Sequence, residues 1–199
     1  MTKRRIAALI FDGFEMLDLY GPLELFSMHR DDFDIVTVAA DAGPMTASGG
    51  PATLAEAGFA DGHRYDMVLV PGGRGVRAAQ VDQAHLDWLA QVCDQAEVVM
   101  SVCTGSALLA AAGVLDGKRA TTNKIAFDWV KGLHPAPDWQ ERARWVVDGK
   151  VYTSSGVSAG MDMALDVIKD LIGAQAAKDA AHWAEYIPNP DPENDPFAP

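Results

Sequence analysis

The chain has 199 residues, of which 49% are hydrophobic and 22% charged, and its formal net charge at pH 7 is −12. This size and composition predict one globular domain with a sizeable core. The acidic balance argues against nucleic-acid and membrane partners, because both are anionic and attract basic clusters.

Hydrophobic patterning along the chain alternates strands with helices. Strands are predicted in residues 4–11, 33–40, 65–70 and 97–102, short strands in 43–54, and a hairpin with Asp148-Gly149 at its tip in 143–156. Helices are predicted in residues 15–29 (interrupted by Gly21-Pro22), 84–96, 105–118, the second part of 119–133, and 158–187 with a break near Gly173. The fold class is therefore α/β, with a mostly parallel central sheet covered by helices on both faces.

The sequence divides into a domain and a tail. We assign residues 1–187 to a single domain and residues 188–199, "PNPDPENDPFAP", to a Pro-rich acidic C-terminal tail, extended or disordered, that can dock on the surface. The sequence has no signal peptide, no apolar run of about eighteen residues and no CxxC or HExxH pattern. We therefore expect a cytoplasmic protein with free thiols and no metal site.

The two cysteines lie in different surroundings. Cys93 is on the apolar stripe of a predicted helix, which indicates packing. Cys103 lies between a strand and a helix, with the small residues Ser101 and Gly105 two positions either side, as in a nucleophile elbow. A thiol at a helix N-terminus is also expected to favour the thiolate. These features favour a nucleophile, and a core cysteine is the alternative.

Three further residues are candidates for this site. Asp18 lies between two leucines, either on a solvent face or as a carboxyl that faces the strand ends and shares a proton with the thiol. Gly72 and Gly73 follow a buried strand, either as a tight turn or as backbone N–H donors for developing negative charge.

Four segments together resemble the DJ-1/PfpI (ThiJ/PfpI) superfamily: "FDGFEMLDLYGPLELF", "YDMVLVPGGRG", "VVMSVCTGSALLAAAGVLDGKRATTN" and "YTSSGVSAGMDMALDVI". The resemblance implies a flavodoxin-like sandwich, usually a homodimer, with Cys103 as the nucleophile. Asp18 in place of a glutamate, and Thr104 directly after the cysteine, are similar to the isonitrile (isocyanide) hydratase branch.

That branch implies hydration of a small-molecule isocyanide to an N-substituted formamide without a cofactor. Cys103, Asp18 and Thr104 would be catalytic, with Gly72 and Gly73 at the oxyanion side and Gly156 at a helix start near the nucleophile. One departure affects the pocket: "ATTNK" stands where related sequences often read "ATTHW". Asn123 is either a pocket residue or a helix N-cap, and Lys124 is expected at the surface.

Three alternative functions stay open at this stage. A glyoxalase III or deglycase acting on methylglyoxal-like aldehydes would use the same thiol, although the resemblance associates it with a glutamate and a nearby histidine. A redox sensor would oxidise Cys103 without turning over a carbon substrate. Regulators that share this domain continue into a helix-turn-helix domain, and the acidic tail makes us expect an enzyme instead.

Overall fold

A seven-stranded sheet forms the centre of the protein in the computed structural model, which describes residues 3–199. Its strand order is β10-β11-β7-β6-β1-β2-β5. Only β10 and β11 pair in antiparallel fashion within this sheet, and every other neighbouring pair is parallel. The α/β class and the mostly parallel sheet are thereby confirmed.

The strands are β1 (Arg4–Leu9), β2 (Phe33–Ala39), β3 (Gly43–Thr46), β4 (Ala52–Ala55), β5 (Ala57–Gly58), β6 (Met67–Val70), β7 (Val98–Val102), β8 (Arg119–Ala120), β9 (Asp138–Trp139), β10 (Trp145–Asp148) and β11 (Val151–Ser154). The helices are α1 (Met16–Ser27), α2 (Val76–Ala79), α3 (Gln83–Gln95), α4 (Gly105–Ala111), α5 (Phe127–Leu133), α6 (Ala159–Ile172) and α7 (Ala174–Trp183). Two small ladders, β3 with β4 and β8 with β9, lie outside the central sheet.

Helices cover both faces of the sheet. Helix α6 packs against both α1 and α7, and α4 packs against α2 and α3. The central strands β6 and β7 are buried along their whole length, as expected for a parallel sheet between two helical layers. The hydrophobic core therefore lies on both sides of these strands. The carboxyl ends of the strands form the edge where α/β proteins bind ligands.

Helix α1 differs from its prediction, because it continues through Gly21-Pro22. Tertiary packing overrides the local preference of proline here. A methyl group on Gly21 would lie 2.9 Å from Cγ of Met161, so glycine permits the close approach of α6. Pro22 in turn packs beside Gly160 of that helix. The missing proline N–H leaves the Asp18 carbonyl without its usual helical donor.

Two other local predictions, the hairpin and the break between the last helices, are confirmed, whereas the helix predicted in residues 105–118 ends at Ala111. The hairpin β10–β11 turns at Gly149 with φ of 61°, and Gly173, with φ of 102°, separates α6 from α7. Residues 188–199 contain no helix or strand and lie against the entrance to β10. No helix within residues 3–199 is long and apolar enough to cross a membrane.

Candidate active site

The sheet topology brings three chain segments together. Strands β6, β7 and β11 are neighbours and parallel, so their carboxyl ends meet at one edge. Gly72 follows β6, Cys103 follows β7 and Gly156 follows β11. Asp18 reaches the same edge from the first turn of α1. Residues far apart in the sequence thus form one site at the edge where α/β proteins bind ligands.

Cys103 adopts the strained backbone conformation of an elbow. Its φ is 58°, in the left-handed region that side chains other than glycine rarely occupy. Its N–H donates to the Ser155 carbonyl (3.0 Å) and its own carbonyl accepts from Thr122 Oγ1 (3.0 Å) and Ser106 Oγ (3.1 Å). These bonds hold the turn that carries the thiol.

The small residues of the elbow are required by contact distance. A methyl group on Gly105 would lie 2.2 Å from the Val70 carbonyl oxygen, so only glycine fits next to β6. A methyl group on Gly72 would lie 2.6 Å from Thr104 Oγ1 and 2.8 Å from Asp18 Oδ2. Glycine at these positions lets β6, α1 and the elbow approach one another.

Asp18 is fully buried at this edge. Its Oδ2 accepts a hydrogen bond from the Gly72 N–H (2.9 Å), while Oδ1 is buried and has no hydrogen-bond partner among residues 3–199. Burial raises the pKa of Asp18 to about 7; the Gly72 N–H opposes this shift, the charge of Glu15 adds to it and interaction with the Cys103 thiol lowers it. The group therefore exchanges a proton near neutral pH.

Burial also raises the pKa of the Cys103 thiol to about 12, and the charge of Asp18 adds to this shift. The Thr104 N–H, the Asn123 amide and the Thr104 hydroxyl act in the opposite direction. The thiolate expected from the helix N-terminus is thus not the resting form, because desolvation outweighs these donors. Each charge disfavours the other, so the two groups titrate as a pair.

The glycine N–H groups have acceptors within the protein. Gly72 N–H binds Asp18, and Gly73 N–H donates to Thr104 Oγ1 (3.2 Å). The Gly72 and Gly73 N–H groups therefore hold Asp18 and Thr104 in place. Because each N–H already has an acceptor, neither is free to donate to a developing oxyanion as the sequence analysis expected. Thr104 is left with its backbone N–H directed towards the thiol.

Asn123 takes both of the roles left open by the sequence. Its Oδ1 accepts from the Ala126 N–H (3.1 Å), as an N-cap does, at the start of the turn that leads into α5. Its amide nitrogen faces the site, where a methyl group on Gly156 would lie 2.5 Å from Nδ2. The amide also lowers the pKa of Cys103. One side chain therefore orders the loop and contacts the Cys103 thiol.

Lys124 is half-buried, although the sequence suggested a surface residue. Its Nζ donates to Thr121 Oγ1 (2.8 Å) and to the Ala143 carbonyl (2.6 Å). Burial lowers the pKa of Lys124 to about 8, and the charges of Asp195 and Glu141 oppose this shift. The side chain thus ties the loop of residues 121–124 to the Ala143 carbonyl.

A cavity of about 630 Å³ opens beside Asn123 and Gly156. Its wall is formed by residues of three segments: Asn123, Lys124, Ile125, Phe127, Asp128, Glu141, Ser155, Gly156, Val157, Ser158, Phe197 and Pro199. The cavity is large enough for a small organic substrate. Its lining includes Asn123, whose amide also acts on the Cys103 thiol, but not Cys103, Asp18 or Thr104. Within residues 3–199 no cluster of three or more acidic, histidine or cysteine side chains could hold a metal ion.

Several residues of this site give little signal in the sequence. Thr122 and Ser155 act through bonds to the backbone of Cys103, and Val157 adopts a positive φ of 44° at the cavity wall. Thr121 and Thr122 could have been found from the sequence, because they directly precede Asn123 in the segment "ATTNK". Phe197 carried none, because its contribution depends on where residues 188–199 dock.

A strained cysteine at a strand-to-helix elbow, beside a buried carboxyl and on a mostly parallel sheet, defines a class of cysteine-centred α/β domains. The chain belongs to the DJ-1/PfpI family, whose model matches residues 4–170.

Three proteins show the range of this family. An isonitrile hydratase of Pseudomonas putida is 37% identical over 94% of this chain and 80% of its own length. A ThiJ/PfpI family crystal structure from Pseudomonas syringae superposes with a TM-score of 0.87 at 33% identity, covering 96% of this chain and 78% of that one. An HTH-type transcriptional regulator of Pseudomonas aeruginosa is 29% identical over 85% of this chain but only 51% of its own length.

Proposed function

We propose that this chain is a cysteine-dependent isonitrile hydratase that converts isocyanides to N-substituted formamides. The observation that carries this proposal is the buried pair of Asp18 and Cys103. The carboxyl has a pKa of about 7, one of its oxygens is fixed by Gly72, and the other is free beside the thiol. Similarity to the Pseudomonas putida isonitrile hydratase supports the same chemistry.

The first step forms a thioimidate. Ionisation of the pair by loss of one proton leaves a single proton shared between the carboxyl and the thiol. In the form with thiolate and carboxylic acid, Sγ of Cys103 attacks the electrophilic isocyanide carbon and Asp18 donates its proton to that same carbon. The sum of these events is addition of S–H across the carbon, which gives R–N=CH–S–Cys103 and an Asp18 carboxylate.

The second step consumes water. The Asp18 carboxylate accepts a proton from a water molecule that attacks the thioimidate carbon, and it passes this same proton to the nitrogen. The C–S bond of the resulting R–NH–CH(OH)–S–Cys103 then breaks, the hydroxyl proton returns to the pair, and the formamide R–NH–CHO leaves. One water is added overall, and the protein supplies the proton transfers. Thr104 and Asn123 stabilise negative charge on sulfur at both stages.

The site favours this reaction over the glyoxalase alternative. A glyoxalase must move a proton between two carbons, and the groups within residues 3–199 that shift the pKa of Cys103 include no histidine. A redox sensor would oxidise Cys103 without turning over a carbon substrate, so formation of a formamide by the native protein would favour the hydratase over it. The homodimer implied by the family resemblance stays a prediction.

An ultraviolet assay with an aromatic isocyanide tests the proposal. We expect the purified protein to form the matching formamide, identified by mass spectrometry, and to use one water per turnover. A thioimidate on the peptide that contains Cys103 should accumulate after a rapid acid quench. Turnover of methylglyoxal without any turnover of isocyanide would replace the proposal with the glyoxalase alternative.

A further inference from the structure

The segment of residues 188–199 is anchored by specific bonds. The Pro192 carbonyl accepts from the Arg144 N–H (2.7 Å) and the Trp145 N–H (3.3 Å), and the Asp195 N–H donates to the Arg142 carbonyl (2.8 Å). Earlier in the segment, the Asn189 N–H donates to Asp162 Oδ1 (3.0 Å). Backbone bonds thus place this segment along the chain that enters β10.

Buried charges hold its second half. Asp195 is buried with Oδ1 at 3.8 Å from Nη1 of Arg144, and Nε of the same guanidinium donates to Asp162 (2.6 Å). The Phe197 N–H donates to Asp195 Oδ1 (2.9 Å), and the Ala198 N–H donates to the Asp195 carbonyl (3.0 Å). Asp195 therefore fixes the turn that presents Phe197.

That turn delivers apolar surface to the cavity beside the nucleophile. Phe197 and Pro199 line the same cavity as Asn123 and Gly156. Phe197 is 74% exposed, so most of its ring is free to contact a bound molecule. The end of the chain and the loop that supports the nucleophile thus line one compartment.

The rest of the lining sets the chemistry of the occupant. Phe127 and Ile125 add apolar surface, whereas Asp128 and Glu141 contribute carboxylates. Lys124 contributes one amine, which the two carboxylates outnumber and whose Nζ already donates to Thr121 Oγ1 and the Ala143 carbonyl. An anionic group in this cavity would be repelled by the carboxylates, and a neutral aromatic or bulky apolar group would bury surface against Phe197. The substituent of the substrate must extend away from the reacting carbon, and this cavity is the space next to Asn123.

We propose that residues 188–199 form the outer wall of the substrate pocket and that Phe197 is a specificity-determining residue which selects isocyanides with neutral aromatic or bulky apolar N-substituents. This inference rests on the proposed isonitrile hydratase function. Phe197 contacts the substituent and takes no part in the proton transfers, so its replacement changes selectivity without removing the reaction.

The test compares kcat/KM for phenyl isocyanide and methyl isocyanide in Phe197→Ala, Phe197→Leu and Trp183→Ala. Trp183 is 78% exposed at the end of α7 and does not line this cavity, which makes it a matched control. We expect Phe197→Ala to lower the phenyl-to-methyl ratio of kcat/KM about tenfold below that of the native protein. Phe197→Leu should keep most of the native ratio, and Trp183→Ala should leave it unchanged. An unchanged ratio in Phe197→Ala, with isocyanide turnover intact, overturns the inference and leaves the proposed function standing.

A second measurement does not depend on turnover. The rates at which N-phenylmaleimide and N-methylmaleimide alkylate Cys103, followed by mass spectrometry, also depend on how Phe197 contacts the substituent of the reagent. We expect the phenyl-to-methyl rate ratio to fall several-fold in Phe197→Ala but not in Trp183→Ala. If the native protein turns over no isocyanide and this ratio still falls, only the proposed function fails. If neither ratio changes, the role of Phe197 is wrong.

Discussion

Cys93 and Cys103 are both free, both buried thiols, and burial raises the pKa of each to about 12. Their neighbours differ. Cys93 lies within the regular helix α3, where the charge of Lys150 is what opposes the effect of burial. Cys103 lies on a strained turn beside a carboxyl that titrates near neutrality. Burial alone therefore does not distinguish the two thiols, whereas a neighbouring group that can accept the thiol proton does.

The largest expected effect separates the two thiols directly. Cys103→Ala should lower kcat/KM for an aromatic isocyanide by more than about 10⁴-fold, because the covalent route is lost. Cys93→Ala should keep kcat/KM within about twofold and lower the free energy of unfolding by about 1 kcal/mol, since it removes only packing. Substantial turnover by Cys103→Ala would show that Cys103 is not the nucleophile.

The next effect removes the carboxyl and keeps its shape. Asp18→Asn should lower kcat/KM about 10³-fold because no group remains to move the proton. Matched rates for Asp18→Asn and the native enzyme would exclude the proton-sharing pair.

At alkaline pH, the Asp18→Asn variant should be more stable than the native protein. The folded state holds the pKa of Asp18 at about 7, above its unfolded value, so the native protein loses stability as pH rises from about 4 to about 7. The Asp18→Asn variant has no such loss, and its gain at pH 8 should be up to about 4 kcal/mol. Urea unfolding at pH 4 and pH 8 measures this; an equal difference at both values would contradict a raised pKa.

A glycine pair tests whether position matters as well as chemistry. Gly72→Ala would place a methyl group 2.8 Å from Asp18 Oδ2 and should lower kcat/KM about 10²-fold by moving the carboxyl. Gly132→Ala is the control, because its methyl group meets open space within α5 and should add about 0.5–1 kcal/mol of stability. Equal kinetics in the two variants would mean that Asp18 tolerates displacement.

The smallest effect is the pH profile. Loss of the first proton from the pair creates its reactive form, so kcat/KM should rise about tenfold from pH 6 to pH 8 with a midpoint near 7. Alkylation of Cys103 by iodoacetamide should follow the same curve, whereas Cys93 should react slowly at both pH values. A profile flat from pH 6 to pH 8 would remove Asp18 from the titrating pair.

Patterning was sufficient for most of the fold. The periods of the apolar residues and the Gly149 and Gly173 breaks predicted the alternation, the hairpin and the division of the last helices. Gly21-Pro22 was the exception, since the contact of α1 with Met161 outweighs the local preference of proline. Such a contact joins residues far apart in the chain and leaves no periodic signal.

The sequence predicted which residues meet at this edge of the sheet better than it predicted their electrostatics, and the catalytic roles of these residues stay predictions. Cys103 and Asp18 were found from spacing and resemblance, and the structure places them together. The direction of the thiol pKa depends on how completely the site excludes water, which no motif encodes. The acceptors of the Gly72 and Gly73 N–H groups, and both contacts of Asn123, likewise depend on distances between segments.

The bonds from Arg144 and Trp145 to the Pro192 carbonyl have a consequence for solubility. Strand β10 is an outer strand of the central sheet, and an outer strand with open N–H groups recruits strands from other molecules. A proline-rich stretch seated at its entrance occupies the first N–H of β10, that of Trp145, and the Arg144 N–H just before it. Its prolines cannot themselves propagate a ladder. The opposite margin, β5, is only two residues long and offers little to pair with. Each margin of the sheet thus has a feature that limits pairing with strands of other molecules.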